Sequence, residues 1–253
     1  MSNDPLRQLK TYESQWEGRF QSPAWYLSVV PELQAFTKSL DAERRDIQEA
    51  CKAELYSFFE DRLRTNRICL GAGYQGDVER KPVDMVIIHH TSMRPGLTPE
   101  RLSAVELIRL YAPYFADPKS ECDATLKGQP ISSGHVRAGK QVFWPYHWIV
   151  RGDGRAERLL RDSEIGWHAG NWDVNCRSIA IVLDNDYEER RPSANELRAV
   201  ASIILTHYRR VPITGIVGHR EVNQKTTCPS ELFLNGRAES PGWKSELVSL
   251  VMQ

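Results

Sequence analysis

The period of the hydrophobic positions changes near residue 80. Over residues 42–64, Ile47, Cys51, Leu55, Phe58 and Phe59 recur at helical spacing between charged residues, the pattern of an amphipathic helix. Residues 6–40 carry a similar pattern, which Pro23 and Pro31 are expected to interrupt because proline has no N–H to give to a helix. Residues 1–80 therefore read as a mainly helical N-terminal extension, closed by the loop-forming run Gly71-Ala72-Gly73-Tyr74-Gln75-Gly76. That run does not open a helix after a strand and lacks a following Lys-Ser or Lys-Thr, so it reads as a linker and not as a phosphate cradle.

Beyond it, short apolar runs alternate with helical patterns. Met85-Val86-Ile87-Ile88-His89-His90 suits a buried strand. Thr98 and Pro99 provide an N-cap and a first helical position, and Leu102, Val105, Ile108 and Ala112 form the inner face of the helix that follows. Further strands are expected at 146–150, 156–160 and 178–183, and a last one at 213–217. Ser193-Ala194-Asn195-Glu196 is a capping box for a helix whose apolar stripe is Leu197, Val200, Ile204 and Tyr208, and residues 241–252 read as helical. The alternation predicts an α/β fold for residues 81–253, a central mixed β-sheet flanked by helices.

Composition narrows the partners. The chain has 253 residues with 33 basic and 33 acidic side chains, which leaves no basic excess for nucleic acid. No run approaches the roughly 20 apolar residues of a membrane span, and the first residues lack the charged start and apolar stretch of a secretory signal. The expectation is a product that is cytoplasmic as synthesised, with export by lysis or by a dedicated secretion system left open. The five cysteines are scattered without a CxxC pair, so reduced thiols are expected and no disulfide framework. Oligomeric state is not legible.

Three side chains suit a metal. His89 ends one apolar strand, His219 follows another, and Cys228 lies nine residues later in a proline-containing loop. Imidazole and thiolate are ligands that zinc prefers, and three of them leave a fourth tetrahedral position open; zinc held there lowers the pKa of water and polarises an amide carbonyl. Spacing alone leaves this set one of many combinations among seven histidines, each of which also reads as an ordinary hydrogen-bonded or surface residue.

Four local signatures occur in one order. They are Val-Ile-Ile-His-His-Thr at 86–91, Tyr-His-Trp-Ile-Val-Arg-Gly-Asp-Gly at 146–154, Gly-Trp-His-Ala-Gly at 166–170 with Asn175 and the run 178–183, and Gly-His-Arg-Glu-Val at 218–222 leading to Cys228-Pro229. Over residues 82–236 this set resembles the N-acetylmuramoyl-L-alanine amidase family, which includes amidase-type phage lysozymes, muropeptide-recycling amidases and peptidoglycan-recognition proteins. The resemblance implies zinc held by His89, His219 and Cys228, and hydrolysis of the amide between N-acetylmuramic acid and L-alanine in peptidoglycan or muropeptides. It implies Tyr146 as an oxyanion or water-orienting group, with either Lys225 or Thr226 as a further oxyanion donor. It places His168, Asn175 and Trp167 on the substrate groove. His90 must face away from His89 if both lie in a strand, which makes it a substrate-side or supporting residue. Two alternatives remain: a zinc-free module that recognises wall fragments without cutting them, and a zinc hydrolase of a different amide.

Overall fold

The structure is a computed structural model that describes residues 4–72, 76–93, 95–118, 121–235 and 242–253; side chains at 121–123 lie outside the description. In chain order the elements begin with helices α1 (Pro5–Glu17), α2 (Tyr26–Ser39) and α3 (Arg45–Arg64), followed by strand β1 (Met85–His90). Helix α4 (Pro99–Glu106) runs through a π turn at Leu107–Tyr111 into α5 (Ala112–Ala116). Strands β2 (Val136–Arg137), β3 (Lys140–Gln141), β4 (Trp148–Val150) and β5 (Ala156–Arg158) follow, then α6 (Trp172–Arg177) and β6 (Ser178–Leu183). The chain ends with α7 (Ala194–His207), β7 (Ile216–Gly218), α8 (His219–Val222), α9 (Glu231–Leu234) and α10 (Trp243–Val251).

Two compact units emerge. The first joins Met1–Gln75 to Thr98–Phe143, and the second joins Gly76–Leu97 to Trp144–Gln253. In the first, the apolar stripes of α1 to α3 meet in an aromatic core. Phe20 sits 5.2 Å from Trp25 and 5.5 Å from Phe59, both edge-on, an arrangement that contributes about 0.5–1.5 kcal/mol per pair beyond area burial. The later segment is built into the same unit: Arg101 Nη2 donates to the Ala53 carbonyl at 3.1 Å, and the Tyr26 hydroxyl donates to Gln129 O at 2.8 Å and accepts from Gly128 N at 2.7 Å. Ser132, Ser133 and His135, a polar loop in the sequence, belong to this unit and are buried, with Ser133 Oγ accepting from His135 N.

The sequence pattern differs from this unit at one point. Pro31 lies inside α2 and does not break it. The carbonyl that loses its partner belongs to Leu27, which is 38% exposed, while Val30, Leu33 and Phe36 bury the opposite face. Gly73, Tyr74 and Gln75 of the expected linker lie outside the described residues.

The second unit is a five-stranded mixed sheet in the order β5-β4-β6-β1-β7. β4, β6, β1 and β7 run parallel, and β5 closes one edge antiparallel to β4. β6 is buried throughout and β1 from its second residue on, which is why both read as near-continuous apolar runs. One face, Val86, Ile88, Ile179, Ile181 and Leu183, packs under α7 and α10 through Leu197, Val200, Ile204 and Leu247. The capping box forms: Ser193 Oγ accepts from Glu196 N and Glu196 Oε2 accepts from Ser193 N. The expected strand at 213–217 is corrected: Ile213–Gly215 is a 3-10 turn and the strand is Ile216–Gly218. Gly215 sets that boundary, because a Cβ there would stand 2.5 Å from the Asp84 carbonyl oxygen. Among the described residues no helix is long and apolar enough to cross a membrane.

Candidate metal centre

Parallel pairing builds the site at the carboxyl ends of the central strands, where α/β sheets place their ligands. β1 and β7 pair with Ile87 level with Val217 and Ile88 level with Gly218, so the next residues, His89 still in β1 and His219 at the start of α8, come side by side. The Gly218 position is sterically committed, since a Cβ there would stand 2.8 Å from the Phe233 ring and from Pro229 Cδ. Glu221 Oε2 accepts from Gly218 N at 2.7 Å and holds the turn from β7 into α8. The following loop returns to the same place: Arg220 N donates to Cys228 O at 2.7 Å, and Cys228 N donates to Thr226 Oγ1 at 3.1 Å.

One ligand atom from each of His89, His219 and Cys228 lies within 4.8 Å of the others. Cys228 Sγ is 3.6 Å from His89 Nδ1. A nitrogen at about 2.0–2.1 Å and a sulfur at about 2.3 Å from zinc, separated by a tetrahedral angle, stand about 3.6 Å apart. Among the described residues His219 Nε2 is buried with no hydrogen-bond partner, an orphan that a metal ion would satisfy. Both imidazoles are neutral near pH 7, the form that offers a lone pair. Burial, with smaller contributions from His219, His168 and His90, holds His89 well below the usual histidine range. Burial lowers His219 to about 4 against an opposing hydrogen bond to the Ala169 backbone. By donor set, spacing and protonation, these residues fit zinc.

Around this centre, Tyr146 stands with its ring centroid 5.1 Å from that of His89 and is partly exposed. His168 is buried, its Nδ1 3.1 Å from His89 Nε2 and its Nε2 3.2 Å from Ser178 Oγ. Asn175 is also buried, and its Oδ1 accepts from the backbone N–H groups of His168 (3.3 Å) and Ala169 (2.8 Å). Trp167 is partly exposed and meets Trp172 edge-on at 6.0 Å, with Trp172 Nε1 donating to Glu79 Oε2. Thr226 is tied to Cys228, whereas the Lys225 side chain is exposed. His90 turns to the opposite face as strand alternation requires; its side chain is 3% exposed and Nδ1 accepts from Tyr187 N, with Asp186 and Glu188 carboxylates at 3.9 and 3.7 Å. The sequence did not single out Ser178 within its strand or Arg80; a serine beginning an apolar strand carries no periodic signal.

Comparison with known proteins supplies a family. Residues 79–231 match the one described as N-acetylmuramoyl-L-alanine amidase. A peptidoglycan-recognition protein of Drosophila melanogaster is 25% identical over 166 residues, which cover 64% of this chain and 77% of the relative. Among solved structures, the N-acetylmuramoyl-L-alanine amidase LysC from Clostridium intestinale URNW aligns at 21% identity and a TM-score of 0.43, covering 63% of this chain and 83% of its own. The Drosophila peptidoglycan recognition protein SD aligns at 20% identity and a TM-score of 0.39, covering 59% and 76%.

Proposed function

Because this chain belongs to the N-acetylmuramoyl-L-alanine amidase family, we propose that it is a zinc-dependent hydrolase of the amide between N-acetylmuramic acid and L-alanine in peptidoglycan fragments. The observation that carries the reading is the convergence of His89, His219 and Cys228, with His219 Nε2 buried and unpartnered. When bound, zinc supplies a Lewis acid for the amide carbonyl and lowers the pKa of water toward 7. The chain's own residues supply the rest. His89 and His219 enter as neutral imidazoles, so holding the ion costs no deprotonation of either ring near pH 7. Tyr146, beside His89, carries a phenol able to donate a hydrogen bond to the oxygen that gains negative charge as the carbonyl carbon becomes tetrahedral. Thr226 is the better supported of the two further donors: its oxygen already accepts from Cys228 N, which leaves its O–H to donate.

The test is mass spectrometry of soluble muropeptides incubated with zinc-loaded protein. We expect stem peptide with a free amino terminus and sugar with a free lactyl carboxylate from the wild type, and loss of both cleavage and tightly held zinc in Cys228→Ser and His219→Ala. Full cleavage by both variants overturns the proposal. Fragments bound but left intact by the zinc-loaded wild type establish the recognition-module reading in its place. Comparing soluble fragments with intact sacculi then separates a recycling from a wall-cutting role.

A further inference from the structure

We propose that the segment Trp167-His168-Ala169, held by Asn175, is a clamp that selects the metal-facing nitrogen of the His89 imidazole, its Nδ1. The inference rests on the zinc reading above and goes beyond it, since it makes His168 and Asn175 positioning residues and not contacts of the substrate.

The hydrogen-bond chain has a single consistent direction. Its far end is the Val174 carbonyl, which only accepts, so the Ser178 hydroxyl donates to it at 2.6 Å. Ser178 Oγ is then the acceptor for His168 Nε2–H at 3.2 Å. A neutral imidazole carries one N–H, so His168 Nδ1 is bare and accepts from His89 Nε2–H at 3.1 Å. His89 is left with a bare Nδ1, the nitrogen that faces Cys228 Sγ at 3.6 Å. Reversing any one bond would set two N–H groups, or a hydroxyl hydrogen and an N–H, against each other inside a buried site.

The segment is itself constrained. Asn175 Oδ1 collects the N–H groups of both His168 and Ala169. Gly166 passes so close to Pro145 that a Cβ would stand 2.1 Å from its carbonyl oxygen, and Gly170 has φ +67°, a left-handed conformation that favours glycine. From the other side, Arg80 Nη1 donates to the carbonyls of Asn175, Cys176 and Ser178 at 3.1, 3.3 and 3.0 Å. Partners that fix a ligand's tautomer in this way typically change metal affinity by about 10- to 100-fold when removed.

The experiment measures zinc affinity of the full chain by chelator competition, and ring tautomers by long-range proton–nitrogen NMR. His168→Ala and Asn175→Leu remove the acceptor and are expected to weaken zinc by about 10- to 100-fold. His168→Asn and Asn175→Asp keep an oxygen in the acceptor position and are expected to bind zinc like the wild type, a rescue that a space-filling role would not produce. In the zinc-loaded wild type, His89 should show a metal-bound Nδ1 with protonated Nε2. Undiminished affinity in both acceptor-less variants, or His89 bound through Nε2, overturns the clamp while leaving the amidase reading intact; a wild type that holds no zinc overturns both.

Discussion

At the scale of single residues, the second unit contains a histidine outside the candidate metal centre that is as fully withdrawn from water as His89. His147 is 0% exposed; its Nδ1 accepts from Ala180 N at 3.1 Å and its Nε2 donates to the Glu164 carbonyl at 2.9 Å, so both nitrogens are used by the neutral ring. Burial, with Arg80 adding to it, pushes its pKa down to about 3 from the ordinary 6.5. Between those values the unfolded chain binds a proton at this ring that the folded protein does not, so stability rises with pH across the window and is lost as pH falls toward 3. Each such proton is worth about 1.4 kcal/mol per pH unit. Urea unfolding of His147→Gln, compared with the wild type between pH 4 and pH 6.5, should therefore show a shallower pH dependence by about one proton; an unchanged slope would contradict the assignment. His89 and His168, also held low chiefly by burial, contribute in the same direction, so the wild-type slope should exceed that of one group.

At the scale of elements, the sheet is tied at the end of β4 by one arginine. Arg151 Nη1 donates to Asp184 Oδ2 at 2.8 Å just beyond β6, and also to the Leu97 carbonyl, while Nε reaches Glu157 Oε1 on β5 at 2.9 Å. The Asp184 side chain is 1% exposed, and Gly96 N donates to the same oxygen as the arginine. Arg151→Met should destabilise the protein by about 3–5 kcal/mol, because it leaves a buried carboxylate without its counter-ion. A denaturant series at pH 7 measures this, and a loss under about 1 kcal/mol would place the pair among the weak, solvated kind. The capping box on α7 and the continuous apolar runs of β1 and β6 are local features, and their positions could be read directly from the chain. Pro31 and the 213–217 segment could not, because solvent exposure of one carbonyl and a 2.5 Å approach to Asp84 are properties of the packed molecule.

At the scale of the whole molecule, the two units interleave along the chain, with residues 98–143 sharing the first unit with the N-terminal helices. A piece that begins at residue 81, the boundary suggested by the change in hydrophobic period, keeps Phe115 but loses Tyr26, whose ring centroid lies 6.0 Å from it, and keeps Arg101 but loses the Ala53 carbonyl. Such a piece should expose the inner faces of α4 and α5, unfold at lower urea than the full chain and bind a hydrophobic dye. A piece as stable as the full chain would show instead that residues 98–143 need no partner from the N-terminal helices.

The chain alone was enough to read helices before residue 65, strands alternating with helices beyond residue 80, the strand that carries His89, the capped helix from residue 194, and three side chains of the types that could hold a metal. These follow from periodicity and side-chain chemistry, which act over a few positions. Only the tertiary structure decided that His89 and His219, 130 positions apart, stand adjacent, because the register of β1 on β7 is a long-range pairing with no local trace. It likewise turned His168 inward against His89 and Asn175 inward onto the Ala169 backbone, since the direction of a side chain in a loop is set by glycines, carbonyls and hydrogen bonds brought to it from elsewhere in the fold.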